Sequence, residues 1–432
     1  MERNPKILII TYYWPPAGGI SVKRWLSLAN ELAKLNAEVH VLTLEPKSAE
    51  YSSIDEDLLA QIDERIEVHR VSAWNPFKLI KKFFRRHIPP QGFSAPETSI
   101  KDVNLLTRLR SNLFIPDPRR TWNSKAVKKA LEIISSEGIK TIVTTSPPHS
   151  TQLIGLKIVQ SIDVNWIADF RDPWTDIFYY ARLGHSKISS WVDRRCESRV
   201  LSRADAILTV TWGFQDLLHR KVPHRERSCF HVIPNGIDGA LAKANPAELK
   251  RHVRVVYTGM LGDTYGVESF LEAVEFQNNK MQNEVISCEF YGTVSNDLRK
   301  SLNERFSFVH FKGIKPMEQM PQIQESADAL FLSGPVGHES IIPGKLFEYI
   351  RASRPILYLG NPNSDVMRVL NETQSGSLLD RSKPEAYVQI LQQLLANLRT
   401  GNGFLPNAAS ISKYYRSNQA KSILDIVFYL EE

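Results

Sequence analysis

The residues best equipped for chemistry lie together in the segment His338-Glu339-Ser340-Ile341-Ile342-Pro343-Gly344-Lys345-Leu346-Phe347-Glu348-Tyr349. An apolar run precedes it and helical spacing begins inside it. A helix start leaves N–H groups free and turns the positive end of the dipole outward, which suits phosphate. Pro343 fits the entry to a helix. Gly344 lets a ligand approach the backbone. Lys345 puts a full positive charge where a helix disfavours one, which a bound anion would offset. Glu348, one turn on, is placed to take two hydroxyls of a ribose. The plainer alternative is an ordinary first turn with Lys345 in solvent.

Other segments carry weaker signals. The loop Trp14–Ser21 holds paired glycines, Gly18 and Gly19, ahead of helical spacing, where backbone N–H groups can approach phosphate. It is not the GxGxxG of dinucleotide binders, and Glu45 would match the ribose-binding acid of such proteins only loosely. Asp169, Arg171 and Asp172 follow an apolar run and could bind hydroxyls or a phosphate. Equally, they could form an internal Asp–Arg pair that shapes the loop. His149 is a ligand contact or a structural loop histidine. Trp174, Tyr179 and Tyr180 line a pocket or belong to a core. Arg24, Arg171 and Lys345 are the cations available to a bound anion.

Strands must position these groups. Short β-branched runs at 6–12, 38–44, 66–71, 141–145, 165–169 and 206–210 alternate with helical spacing, as from Val22, where Trp25, Leu28, Ala29 and Leu32 share a face. The pattern restarts near 230, with strands expected at 230–233, 254–258, 285–291, 329–332 and 355–359. Helices are expected from about Val267 and over 318–326, 345–352 and 384–398. This alternation predicts parallel sheets in two doubly wound domains, 1–230 and 231–412, with an apolar helix in 413–432 packing back on the first. Ligands of such sheets sit beyond the carboxyl ends of the strands, so the site is expected at the cleft between the domains.

A chain of 432 residues exceeds one ordinary core, which agrees with two domains. Cys196, Cys229 and Cys288 are odd in number and widely spaced, which points to a reducing compartment and away from a disulfide framework or a metal motif. The run Ile7–Ile10 is too short for a signal peptide. No stretch reaches the ~20 apolar residues that cross a bilayer. The excess of 54 Lys+Arg over 47 Asp+Glu is modest, so no nucleic-acid partner is expected. It is locally concentrated, however. Between Glu67 and Glu97 there is no acid, and in 76–88 Phe77, Leu79, Ile80, Phe83 and Phe84 oppose Lys78, Lys81, Lys82, Arg85 and Arg86. At ~100° per residue this describes an interfacial helix on anionic lipid, or an amphipathic helix packed on its own domain. The expected location is the cytoplasm, at the inner face of the cytoplasmic membrane.

Taken as a set, Ile233–Asp238 (IPNGID), Tyr257–Gly259 (YTG) and Pro343–Tyr349 (PGKLFEY) resemble family 4 glycosyltransferases of the GT-B fold. Asn112–Pro118 (NLFIPDP), Thr144–Ser150 (TTSPPHS) and Ala168–Trp174 (ADFRDPW) resemble a bacterial subgroup of that family. The resemblance implies an α/β chain of two Rossmann-like doubly wound domains facing across a cleft. It also implies a nucleotide-sugar held mainly by the second domain as co-substrate, transfer with retention, and neither metal nor cofactor. By position it assigns Glu348 to the ribose, Lys345, Gly344 and Leu346 to the diphosphate turn, Gly18 and Gly19 to the glycine loop, Gly259 to the donor site, and His149 to the donor sugar. The family's first acid falls at Ser340, and Glu339 is one residue out of register. The usual Arg and Lys after Gly259 are absent near Met260 and Tyr265, so Lys345 has more charge to carry. The acceptor implied is a lipid-linked or oligosaccharide hydroxyl in surface polysaccharide or glycolipid synthesis. The competing readings are a sugar-nucleotide epimerase and a non-catalytic sugar- or lipid-binding protein.

Overall fold

The computed structural model describes residues 4–49, 51, 53–73, 105–243, 252–281, 285–334, 336–400, 404 and 406–432. The amphipathic segment 76–88 lies outside them. The chain divides into two compact units, Met1–Pro234 with Arg416–Glu432, and Asn235–Tyr415.

The strands of unit 1 are β1 (Lys6–Ile10), β2 (Glu38–Leu44), β3 (Glu67–Val71), β4 (Thr141–Ser146), β5 (Asn165–Phe170), β6 (Ala206–Thr209) and β7 (Phe230–Val232). They pair in parallel in the order β3-β2-β1-β4-β5-β6-β7. Alternation of side chains assigns each strand's residues to two apolar layers. Leu8, Ile10, Leu42 and Leu44 pack with Ala126, Ala130 and Ile133 of the helix Asn123–Glu137. Ile7, Ile9, Val39 and Val41 pack on the other face with Trp25, Leu28 and Leu32 of the helix Ile20–Lys34. The same layer takes Ala420, Ile423, Leu424 and Val427 from the helix Arg416–Glu431, so the end of the chain completes the core of unit 1. The run Asp55-Glu56-Asp57 opens a 3-10 turn, Glu56–Gln61.

Unit 2 has β8 (His252–Thr258), β9 (Val285–Tyr291), β10 (Val309–Gly313), β11 (Ala329–Ser333), β12 (Ile356–Gly360) and β13 (Gly376–Asp380). Their order is β10-β9-β8-β11-β12-β13, again all parallel. The two outermost strands, β10 and β13, carry no sustained apolar run and lie outside the sequence expectations. As sheet edges they need cover on fewer sides. In both sheets the strand order reverses beside the first strand, between β1 and β4 and between β8 and β11. Such switch points open a crevice at the carboxyl ends of the strands.

Candidate active site

The switch point of unit 2 brings together several of the residues singled out by sequence. β8 ends in buried Tyr257 and Thr258, then Gly259 turns with φ 111°, a conformation suited to glycine. A Cβ on Gly259 would lie 2.9 Å from Lys345 Nζ. β9 ends at Tyr291 and Gly292 follows, where a Cβ would lie 2.2 Å from the Gly259 carbonyl oxygen. The two strand ends are therefore packed backbone to backbone, joined by Gly259 N–H donating to Tyr291 O at 2.7 Å.

After β11 the chain enters the helix Lys345–Arg351. Leu346, Phe347, Tyr349 and Ile350 face the core, while Lys345 and Glu348, three residues apart, share the opposite face. Lys345 Nζ donates to Tyr257 Oη (2.7 Å) and sits 3.9 Å from the centroid of that ring. Tyr257 Oη in turn donates to Met260 O (2.6 Å). Burial pushes the Lys345 ammonium down to about 7, with Glu348 opposing. Glu348 accepts from Gln324 Nε2 (3.1 Å), which also donates to Thr258 Oγ1 (3.3 Å). Tyr349 Oη accepts from Thr258 N–H (2.8 Å), locking the helix to the end of β8.

Leu346 is fully buried and its N–H donates to Pro343 O (3.0 Å), so it offers a donor neither side chain nor N–H. Glu339 is exposed, and its charge acts on Arg381. Sequence reasoning passed over Arg381. This half-buried side chain follows β13 and donates to Ser333 Oγ (2.9 Å) and Gly334 O (3.0 Å) at the end of β11. Its Nη1 lies 3.0 Å from where a Cβ on Gly266 would be, so it reaches the loop after β8. It thus brings a cation to the stretch where the resemblance lacks one.

The second group belongs to unit 1. Gly18 N–H donates to Ser53 O (2.9 Å), and a Cβ there would lie 2.7 Å from Ser53 Oγ, so Gly18 is a close-approach glycine. Gly19 has φ 95° and open space about it. His149 follows β4, its ring stacked on Trp174 (centroids 5.2 Å, planes 10° apart). Its buried Nδ1 has no hydrogen-bond partner. Burial, helped by Arg171 and Lys221, pushes the imidazole down to about 3, so it is neutral at working pH. Asp117 holds this loop, accepting from Ser150 N–H (2.8 Å) and Oγ (2.9 Å) while it caps the turn at Arg119 N–H (2.9 Å).

Asp169 has no exposed surface and accepts from Trp25 Nε1 (2.6 Å), Thr145 Oγ1 (2.7 Å) and Arg24 Nη2 (3.3 Å). Arg24 is equally buried and donates to Ile233 O (2.8 Å) and Pro234 O (2.9 Å). The pair is thus the internal one: it ties the helix Ile20–Lys34 to β5 and to the end of β7. Arg171 Nε donates to Ser146 O (3.0 Å). Burial pushes the Arg171 guanidinium down and the Asp172 carboxyl up, each opposed by the other. Trp174 is core, and its Nε1 donates to Asp193 Oδ1 (2.8 Å) while Tyr180 Oη donates to Oδ2 (2.7 Å).

The comparisons with known proteins agree on one fold. Sucrose-phosphate synthase from Thermosynechococcus elongatus is 14% identical with a TM-score of 0.60, covering 99% of both chains. Anabaena HepE in complex with UDP-glucose is 12% identical with a TM-score of 0.57, covering 98% of this chain and 99% of its own. A variant of S. aureus TarM with fondaparinux, α-GlcNAc-glycerol and UDP is 11% identical, with a TM-score of 0.57 and the same coverage. No curated protein matches significantly. Among the described residues no helix is long and apolar enough to cross a membrane. Residues 18–236 match the family described as "Glycosyl transferase 4-like domain". With half its length in that match and both of its parallel sheets in a shared architecture, the chain belongs to the glycosyl transferase 4-like family and is a glycosyltransferase of the GT-B fold.

Proposed function

We propose that this glycosyltransferase moves a hexosyl or related sugar from a nucleotide-sugar to a saccharide or lipid-linked hydroxyl, with retention, in the synthesis of a surface polysaccharide or glycolipid. The observation that carries the reading is Lys345 Nζ beside Gly259, at the switch point of the unit 2 sheet. A half-buried ammonium beside a glycine turn suits a diphosphate. As the bond from C1 to the diphosphate breaks, negative charge grows on the leaving oxygen, and a fixed cation there lowers the barrier. Lys345 takes that role, and Arg381 supplies the second positive charge. The short helix leaves the work to these side chains and to the Gly259 and Gly344 backbone.

Glu348, oriented by Gln324, binds the ribose hydroxyls. His149, neutral and with Nδ1 unpartnered, is set to hydrogen-bond a sugar hydroxyl. Gly19 brings open backbone to the phosphates, and Gly18 fixes the loop that carries it. Glu339 takes a hydroxyl of the donor sugar in this reading. On the acceptor side Arg171 and Asp172 bind hydroxyls, and Arg24 and Asp169 hold their loop in position. The acceptor oxygen attacks from the face the diphosphate leaves, and the departing phosphate takes its proton, so no protein base is required.

The UDP-glucose held by HepE and the UDP held by TarM make UDP-sugars the first donors to try. Nucleotide release from a donor panel, with Lys345→Ala as control, tests the reading. No donor bound by the native protein would sink it, and interconversion of sugars without acceptor would replace it with epimerisation. We further propose that segment 76–88 docks on anionic lipid at the inner membrane face. Liposome sedimentation checks this: equal binding by the native protein and by a variant with Lys78, Lys81, Lys82 and Arg85 all changed to Glu would refute it.

A further inference from the structure

Two histidines far apart in sequence meet at the opposite end of the unit 1 sheet from the loops that follow its strands. β2 and β3 pair with His40 opposite Glu67 and Leu42 opposite His69. Alternation then puts Glu38, His40, Glu67 and His69 on one face of the sheet. Further along β2, on that same face, Leu42 and Leu44 are fully buried core residues. His40 is itself only 2% exposed, a place where a plain aliphatic side chain would pack.

The spacing of the polar atoms is informative. His40 Nδ1 lies 3.3 Å from His69 Nε2 and 3.5 Å from Glu67 Oε2, and His69 Nε2 lies 3.4 Å from Glu67 Oε1. These separations are long for hydrogen bonds, which for N–H donors run about 2.7–3.2 Å. The two ring nitrogens match another geometry, with a different oxygen of the Glu67 carboxylate turned to each ring. Ligands about 2.0–2.1 Å from a tetrahedral zinc ion stand about 3.3–3.4 Å from one another. The two rings lie nearly in parallel, with planes 13° apart and centroids at 5.5 Å.

The surroundings fit as well. His40 Nε2, the nitrogen turned away from His69, faces Glu38 Oε1 at 3.3 Å, and Lys6 Nζ holds that carboxylate at 2.8 Å. A metal-bound imidazole commonly donates its other N–H to a carboxylate, which fixes tautomer and ring orientation. Glu137, the last residue of its helix, brings another carboxylate beside Glu38 and His40, the three groups lying within 4.8 Å of one another.

We propose that His40 Nδ1, His69 Nε2 and a Glu67 carboxylate oxygen bind a zinc-like divalent transition ion, with Glu38 as the carboxylate that orients His40. Two imidazoles and one carboxylate suit zinc, and the fourth position is left to water. Glu38 and Glu67 are the first residues of their strands, so the ion sits away from the carboxyl-end loops and the transfer chemistry. Its effect is to clamp β3, the last strand of its sheet, to β2.

The full-length chain, stripped with chelator and titrated with zinc chloride against a chromophoric competitor, is expected to bind one ion. His69→Gln is expected to lose it, and zinc should raise the melting temperature of the native chain but not of His69→Gln. Cobalt in place of zinc should give the intense visible bands of a four-coordinate site. Glu38→Gln should still bind one ion, about 10–100-fold more weakly. Glu67→Gln, at a residue whose side chain is 61% exposed, decides the matter if His69→Gln does not fold. Zinc bound equally well by Glu67→Gln and the native chain, or no stoichiometric zinc in the native chain, would overturn the site.

Discussion

Lys345 is under two opposing pulls. Burial disfavours its charge and brings its pKa to about 7, while a diphosphate would favour the charge. Donor binding should therefore draw in a proton, roughly half a proton per donor at pH 7. Affinity should be fullest below about pH 7 and fall as pH rises through that value, because only the ammonium attracts phosphate. Calorimetry in two buffers of different ionisation enthalpy measures the uptake, and identical heats after correction would contradict it. Lys345→Ala should lower kcat by about 10²–10³-fold. At Gly292 even a methyl group would meet the Gly259 carbonyl at 2.2 Å, and φ there is 126°. Gly292→Ala should thus shift the Gly259 turn and weaken donor binding, read as a higher dissociation constant with unit 2 still folded.

At the scale of elements, the loops depend on a few polar ties. Asp117 joins the turn before the helix Asn123–Glu137 to the His149 loop through Ser150. Asp117→Ala should cost about 1 kcal/mol as a lost cap. It should also lower kcat/KM by freeing His149, leaving nucleotide affinity unchanged. Denaturant midpoints and steady-state kinetics check this, and native kinetics would deny the loop a part. Hydropathy reveals strands such as β2 because nearly all of its residues are buried, on both faces. It misses β10 and β13, half-covered edges, and with β13 it misses Arg381. The motif at Pro343–Glu348 is legible because Pro, Gly and Lys each have a local reason to be there. The fate of Asp169 is not, since no local pattern shows that Arg24, Trp25 and Thr145 will enclose it. The pairing of His40 with His69 is hidden for a similar reason: strand register makes it, across 29 residues.

For the whole molecule, the decisive feature is the last helix. Ile423, Leu424, Ile426 and Val427 are buried in the core of unit 1. At about 1.5–3 kcal/mol each, their burial is worth on the order of 6–12 kcal/mol, comparable to a domain's entire stability. A chain ending at Tyr415 should leave unit 1 unfolded or aggregated, whereas residues 235–415 alone should melt cooperatively. Circular dichroism of the two fragments tests both, and a stable, soluble unit 1 without the helix would refute the first. Unit 2 begins and ends at neighbouring points, with Ile237 N–H donating to Tyr414 O at 2.7 Å. In chain order it is an insertion within unit 1. On the ribosome, the half made first must then wait for the half made last: its nascent core stays open until unit 2 has been translated and the final helix emerges. A prematurely terminated product is left with an exposed apolar layer for proteases to find.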